Sequence, residues 1–384
     1  MLKIHQLKIK ILKYQFTLLL SLWMLSPAVA QYKILEDAGA LNKVHQAIDS
    51  IYNLNFRAAD IIIADLDKKL GDYPGVLLLK AFYISWKFRP IKKEHESFAK
   101  FEYYLKQGIE KSEAMLEEDE HNIEANFFLL ACHAYLAELY VNNGQNFKAL
   151  GEAKNAYKYI KIGFDHVEDN PEFYFSSGIY NYYREKFPEE NPFYKSFIWF
   201  FRSGDLAKGI KMLKQGADNA IFTKAECLTY LFHINLRYED KPSNAIFYAK
   251  MLKDRYTNNL YYISNYIENS IRLKQYDTIY TDIELLLQSD KDFYRYLGEI
   301  FYGNYLEIKE KDFTKATKHY KLADQLGDKD KIRVPHFDSI LYLGLGRINL
   351  AQGNIDLGNQ YLKKSVKAAE YIAYRRDAQA LLDK

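Results

Sequence analysis

The chain has 384 residues, 53 Lys plus Arg against 50 Asp plus Glu, and two cysteines, Cys132 and Cys227. Its formal charge of +3 rests on Lys3, Lys8, Lys10 and Lys13; residues 1 to 30 contain no acid, and without them the charge is −1. Signs are interspersed after that point, so the clustered basic face that nucleic acid requires is not expected. Both cysteines sit in apolar helical patterns and are read as buried thiols rather than a disulfide.

The four lysines precede an apolar run from Phe16 to Leu25, then Pro27 and the small residues Ala28, Val29 and Ala30. This is the pattern of an export signal cleaved near Ala30, and the run is shorter than the roughly 20 residues a membrane span needs. The expected location after cleavage is the periplasm or the outer-membrane surface of a bacterial envelope. Beyond it, strand signals are scarce and apolar residues recur at helical spacing, as in Leu41, Val44, Ile48 and Ile51 or Phe175, Ile179, Tyr182 and Tyr183.

Short polar turns closed by a large apolar residue punctuate the helices: LNF at 54 to 56, ESF at 96 to 98, QNF at 145 to 147, GDL at 204 to 206, DKP at 240 to 242, KQY at 274 to 276, KDF at 311 to 313 and GNI at 353 to 355. Their last residues lie 42, 49, 59, 36, 34, 37 and 42 apart. One turn per period of this length predicts stacked antiparallel helix pairs, none of which can bury its apolar face alone.

The last period contains Tyr342, Leu345 and Gly346, the turn Gly353, Asn354 and Ile355, then Gly358, Leu362 and Ser365. GDLAKGIKMLKQG adds Gly204, Asp205, Gly209, Leu213 and Gly216, and KDFTKATKHYKLA adds Phe313, Ala316, Tyr320 and Ala323. In this order of aromatic, small and large positions the chain resembles the tetratricopeptide-repeat family, most closely over 171 to 370. The resemblance implies an all-α, right-handed α-solenoid of about seven or eight antiparallel helix pairs. The expected organisation is an export signal (1–30), divergent helical repeats (31–170), repeats with an aromatic insertion at about 186–204 (171–370) and a C-terminal capping helix (371–384).

The insertion contains Phe193, Tyr194, Phe197, Trp199, Phe200 and Phe201. A short helix apolar nearly all round must be covered by something. It folds back on the array as extra core, docks a partner or a membrane surface, or lids a ligand pocket.

No HExxH, GxSxG, CxxC or Gly-rich phosphate loop occurs, so neither an enzyme nor a metal or cofactor site is expected. His133 and His233 lie mid-helix and read as packed histidines, and the acidic run Glu117 to Glu120 as a solvated turn. The family resemblance places Phe175, Tyr182, Tyr183, Tyr230, Arg237, Tyr238, Tyr261, Arg272, Phe301, Tyr305 and Arg347 on a concave groove. Tyr and Arg are enriched at binding hot spots, so the expected role is a non-catalytic scaffold for a protein or peptide partner. The alternative is a carrier of a lipid or small apolar ligand under the aromatic insertion.

Overall fold

The computed structural model describes residues 34, 37–190, 201–329 and 332–383, and every regular element among them is helical. Seventeen helices follow in order: α1 Ala38–Tyr52, α2 Phe56–Leu70, α3 Pro74–Lys87, α4 Glu96–Glu118, α5 Ile123–Asn142, α6 Asn146–Gly163, α7 Phe173–Glu190, α8 Leu206–Asn219, α9 Lys224–His233, α10 Pro242–Arg255, α11 Leu260–Arg272, α12 Tyr280–Leu287, α13 Asp292–Tyr305, α14 Phe313–Lys329, α15 Pro335–Ala351, α16 Ile355–Ala368 and α17 Ile372–Leu382. Wider π turns, Ile234–Tyr238 and Leu306–Glu310, continue α9 and α13.

Helix starts follow from local chemistry. The Asp37 carboxylate accepts from the backbone amides of Gly39 and Ala40, Asn122 caps α5 through the Ala125 amide, and Asp205 caps α8 through that of Lys208. Pro74, Pro242 and Pro335 occupy first-turn positions, where a missing amide hydrogen costs nothing.

Odd-numbered helices pack on the even-numbered helix that follows, making eight antiparallel pairs from α1–α2 to α15–α16. Seven of the eight predicted turns overlap the connections within these pairs; ESF at 96 to 98 instead opens α4, and the α3–α4 connection is 88–95. In six of the connections the chain reverses through a left-handed residue: Leu54, Gly144, Asp240, Lys274, Lys311 or Gly353. Each pair then rests on the next, which makes the molecule an α-solenoid.

The small positions quoted above are where helices touch. A Cβ on Gly209 would lie 2.7 Å from the Tyr182 backbone nitrogen and 2.8 Å from the Gly178 carbonyl oxygen, so α7 and α8 meet backbone to backbone. In the last pair a Cβ on Gly346 would meet Leu362 at 2.7 Å. Cys132 and Cys227 are buried free thiols lying against Gly108 and Gly216, and burial pushes the Cys132 thiol up to about 12.

The coil does not run open from end to end. Its first pair reaches the fifth and sixth: Arg255 gives two hydrogen bonds to Asp49 at 2.9 and 2.7 Å, the Asn259 side chain donates to the Tyr52 carbonyl at 2.7 Å, and the Asn258 amide donates to Asn53 at 3.0 Å. The fully buried Tyr52 ring sits among Trp86, Tyr256 and Tyr262 at this junction.

A second closure joins the fifth and sixth pairs to the chain's end. Glu268 of α11, 1 % exposed, accepts from Arg237 at 2.8 Å, from Tyr374 of α17 at 3.0 Å and pairs with His336 of α15 at 2.7 Å. Arg272 pairs with Asp377 and, at 3.2 Å, with Asp240. Helix α17 therefore packs on α16 and also reaches back to α11. The apolar core is divided at α11, with one large cluster ending at Tyr262 and the next beginning at Ile263.

Candidate inner cavity

Where the first six odd-numbered helices converge, they line a cavity of about 400 Å³. Helix α3 contributes Phe82, Trp86 and, just past its end, Arg89; α5 contributes Phe127, Tyr135 and Glu138; α7 contributes Phe175 and Ile179; α9 contributes Glu226, Tyr230 and His233; and α11 contributes Tyr261 and Tyr262. On α3, α7 and α9 these positions recur three or four apart, so each of these helices presents one stripe to the inside.

The titratable groups around the cavity are mostly held by neighbours. Glu172, in the α6–α7 connection, accepts from the backbone amides of Ile221, Phe222 and Thr223 at 2.6, 3.1 and 2.9 Å and from the Thr223 hydroxyl at 2.9 Å. It thereby fixes the entry to α9, although burial still raises its carboxyl above the ordinary range. Burial likewise raises Glu226 to about 7; the Tyr52 hydroxyl donates to one of its oxygens and the other, Oε2, is buried without a hydrogen-bond partner.

His233 meets the Tyr261 hydroxyl at 3.0 Å through Nε2, and burial holds its imidazole well below the ordinary range and so neutral. Glu226 and His233 stand seven residues apart on α9, about 10 Å along the axis at ~1.5 Å per residue. No group of three or more His, Cys, Asp or Glu side chains suited to a metal ion exists among the described residues. The chemistry such a site offers is aromatic contact with a few polar points, as in small-molecule sites.

Of the expected groove residues, Phe175, Tyr230 and Tyr261 line this cavity, and Tyr183 packs edge-on against Tyr230 and Tyr238. The others are occupied within the chain. Tyr182 is fully buried with its hydroxyl donating to Glu239 at 2.6 Å, and Tyr238 lies against Tyr371. Arg237 pairs with Glu268 and lies over Tyr371, Arg272 is held by Asp240 and Asp377, and Arg347 gives two hydrogen bonds to Glu307 at 2.6 and 2.9 Å. Phe301 is fully buried beside Phe337, and Tyr305 packs on Tyr276, Tyr280 and Tyr302. Phe301, Arg272 and Arg347 border a second, smaller cavity of about 140 Å³.

Of the insertion, Phe193, Tyr194, Phe197, Trp199 and Phe200 lie outside the described residues. Phe201 is half-exposed, edge-on to Tyr157 at 5.2 Å, and the next residue's carbonyl, that of Arg202, accepts from the Tyr180 hydroxyl at 2.6 Å. Sequence reasoning missed Tyr52, Phe82, Trp86, Arg89, Tyr135 and Glu138. The signal was present, since Phe82, Trp86 and Arg89 share one helical face, but the family's small positions are absent before 171.

No family model matches the chain, and no curated protein matches it. Among solved structures it is similar to yeast Tom70, at 12% identity and a TM-score of 0.35 over 91% of this chain and 88% of that one. It is also similar to human IFIT1 in two dimer structures. With PPP-AAAA the identity is 14% and the TM-score 0.40 over 82% of this chain and 69% of that one; with m7Gppp-AAAA they are 12% and 0.35 over 86% and 95%. At these scores the likeness carries no functional inference, and the description of the chain as an α-solenoid stands on its own helix contacts.

Proposed function

We propose that the protein is a non-catalytic binding scaffold of the bacterial envelope whose ligand, a small molecule with an apolar body, sits in the inner aromatic cavity. The observation that carries this reading is the way the two closures use the inner face. Most of the tyrosine and arginine positions that would form an open groove are bound to other parts of the chain, and the space left is a cavity of about 400 Å³ lined by aromatic rings. That volume lies within the roughly 300 to 1,000 Å³ of small-molecule sites. We read the scaffold as non-catalytic because Glu172, Glu226 and His233 are tied to loop amides, Tyr52 and Tyr261. Export rests on the lysine-rich, apolar and Ala-Val-Ala sequence at the N-terminus.

A protein partner is favoured by a different surface. The large exposed apolar side chains lie mainly on the even-numbered outer helices, with Phe147 and Leu150 of α6 94 % and 70 % exposed. Light-activated crosslinking from p-benzoylphenylalanine at Ile179, inside the cavity, or at Leu150, outside it, separates the readings. A small mass increment on the intact protein from position 179 is the expected result. A polypeptide-sized product from 179 would put a partner inside the cavity, one from 150 alone would favour the outer surface, and no adduct at 179 would remove the cavity as the ligand site.

A further inference from the structure

Arginine is the costliest side chain to leave idle in a protein interior, because its planar guanidinium carries five donors and a permanent charge. In this molecule Arg237, Arg255, Arg272, Arg333 and Arg347 each hydrogen-bond to at least one carboxylate. Arg89 does not. Its guanidinium lies over the Trp86 ring, 5.1 Å from the centroid, and its nearest carboxylate oxygen is that of Glu138 at 3.8 Å, beyond hydrogen-bond distance. Both side chains are about half exposed, at 54% and 52%.

Both residues border the inner space. Arg89, Ser85, Tyr135 and Glu138 border the aromatic cavity and also an adjoining one of about 280 Å³ that contains Lys92. The guanidinium lies over the indole and gives no hydrogen bond to a carboxylate, and an arginine held on an aromatic ring can grip a carboxylate with two parallel hydrogen bonds. The charges nearby select among anions. Glu138 lies on the cavity wall 3.8 Å from Arg89, so a doubly charged phosphate would be repelled more strongly there than a single carboxylate. Phe82, Phe127, Tyr135, Phe175 and Tyr230 line the rest of the space with apolar surface.

We infer that the cavity's ligand is an apolar monocarboxylate, with its carboxylate on Arg89 and its apolar body among these rings. The inference rests on the cavity being the ligand site, and the test keeps the two apart. Trp86 is one of three tryptophans, so the full chain carrying Trp23→Phe and Trp199→Phe reports on the cavity by its remaining indole. Dodecanoate, dodecan-1-ol and dodecylammonium are titrated below their aggregation concentrations. Dodecanoate is expected to change Trp86 emission with an affinity at least tenfold above the alcohol. Arg89→Gln should remove that advantage while leaving alcohol binding and thermal unfolding unchanged, and Glu138→Gln, which takes away the competing carboxylate, should tighten dodecanoate. If alcohol and carboxylate bind equally, or the preference survives in Arg89→Gln, the carboxylate assignment is overturned and the cavity remains a ligand site. If no probe perturbs Trp86, both fall.

Discussion

Glu226 and Glu268 are buried carboxyls whose surroundings push them in opposite directions. Around Glu226 the desolvation of burial prevails and its carboxyl titrates near 7, whereas around Glu268 the charge and hydrogen bonds of Arg237 and His336 outweigh burial and hold it far below the ordinary carboxylate range. The consequences for stability differ in sign. Between about pH 4.5 and 7 the folded protein keeps a proton on Glu226 that the unfolded chain releases, so this group's contribution falls as pH rises through that window and is level above it. Glu268 contributes fully above the ordinary carboxylate range and loses its contribution as pH falls below it. Glu226→Gln should therefore gain on the parent protein between pH 5 and 8, by about 3 kcal/mol if the whole shift from 4.5 to about 7 is expressed. Urea unfolding of both proteins at the two pH values measures it, and an equal difference at both would show that Glu226 titrates normally.

For the helices, the decisive residues are those that let two backbones approach. Gly209 meets backbone atoms on α7, whereas an added Cβ on Gly151 of α6 would meet nothing within 4 Å. Gly209→Ala should lower stability by about 1 to 3 kcal/mol, and Gly151→Ala should raise it by up to about 1 kcal/mol, since glycine is a poor helix former. Thermal unfolding of the two variants checks this, and equal effects would mean that α7 and α8 are not in contact at Gly209. Seven of the turns and the small positions after 171 were legible in the sequence because helix pairing is local and repeats. What the helix faces contact was not. Arg237 and Arg347 satisfy every expectation of a groove residue by type and position, yet Glu268 and Glu307, 31 and 40 residues away, hold them. In the N-terminal half, Gly108 with Cys132 and Gly163 with Phe173 provide close contacts of another kind, so the family pattern fades there while the pairing persists.

At the scale of the whole molecule, the two closures distinguish this array from an open solenoid, in which each repeat contacts only its neighbours. Tyr52 is the centre of the first closure, touching Trp86, Tyr256, Tyr262 and Glu226 together. Tyr52→Ala should release the first pair from the fifth and sixth, increasing the radius of gyration in solution scattering while helix content by circular dichroism stays near that of the parent. An unchanged radius would show that the polar contacts of Asp49 and Asn53 suffice to hold the coil shut.

Tandem arrays commonly lengthen and shorten in evolution by duplicating or losing whole units, because an added unit alters only the contacts beside it. Here that route is blocked. One extra helix pair between the second and the fourth would carry Asp49 and Tyr52 past Arg255 and Glu226, and one between the sixth and the eighth would carry Tyr374 away from Glu268. Close descendants of this chain are accordingly expected to differ in the length of their connections, as at 191–205, while the number of pairs stays at eight.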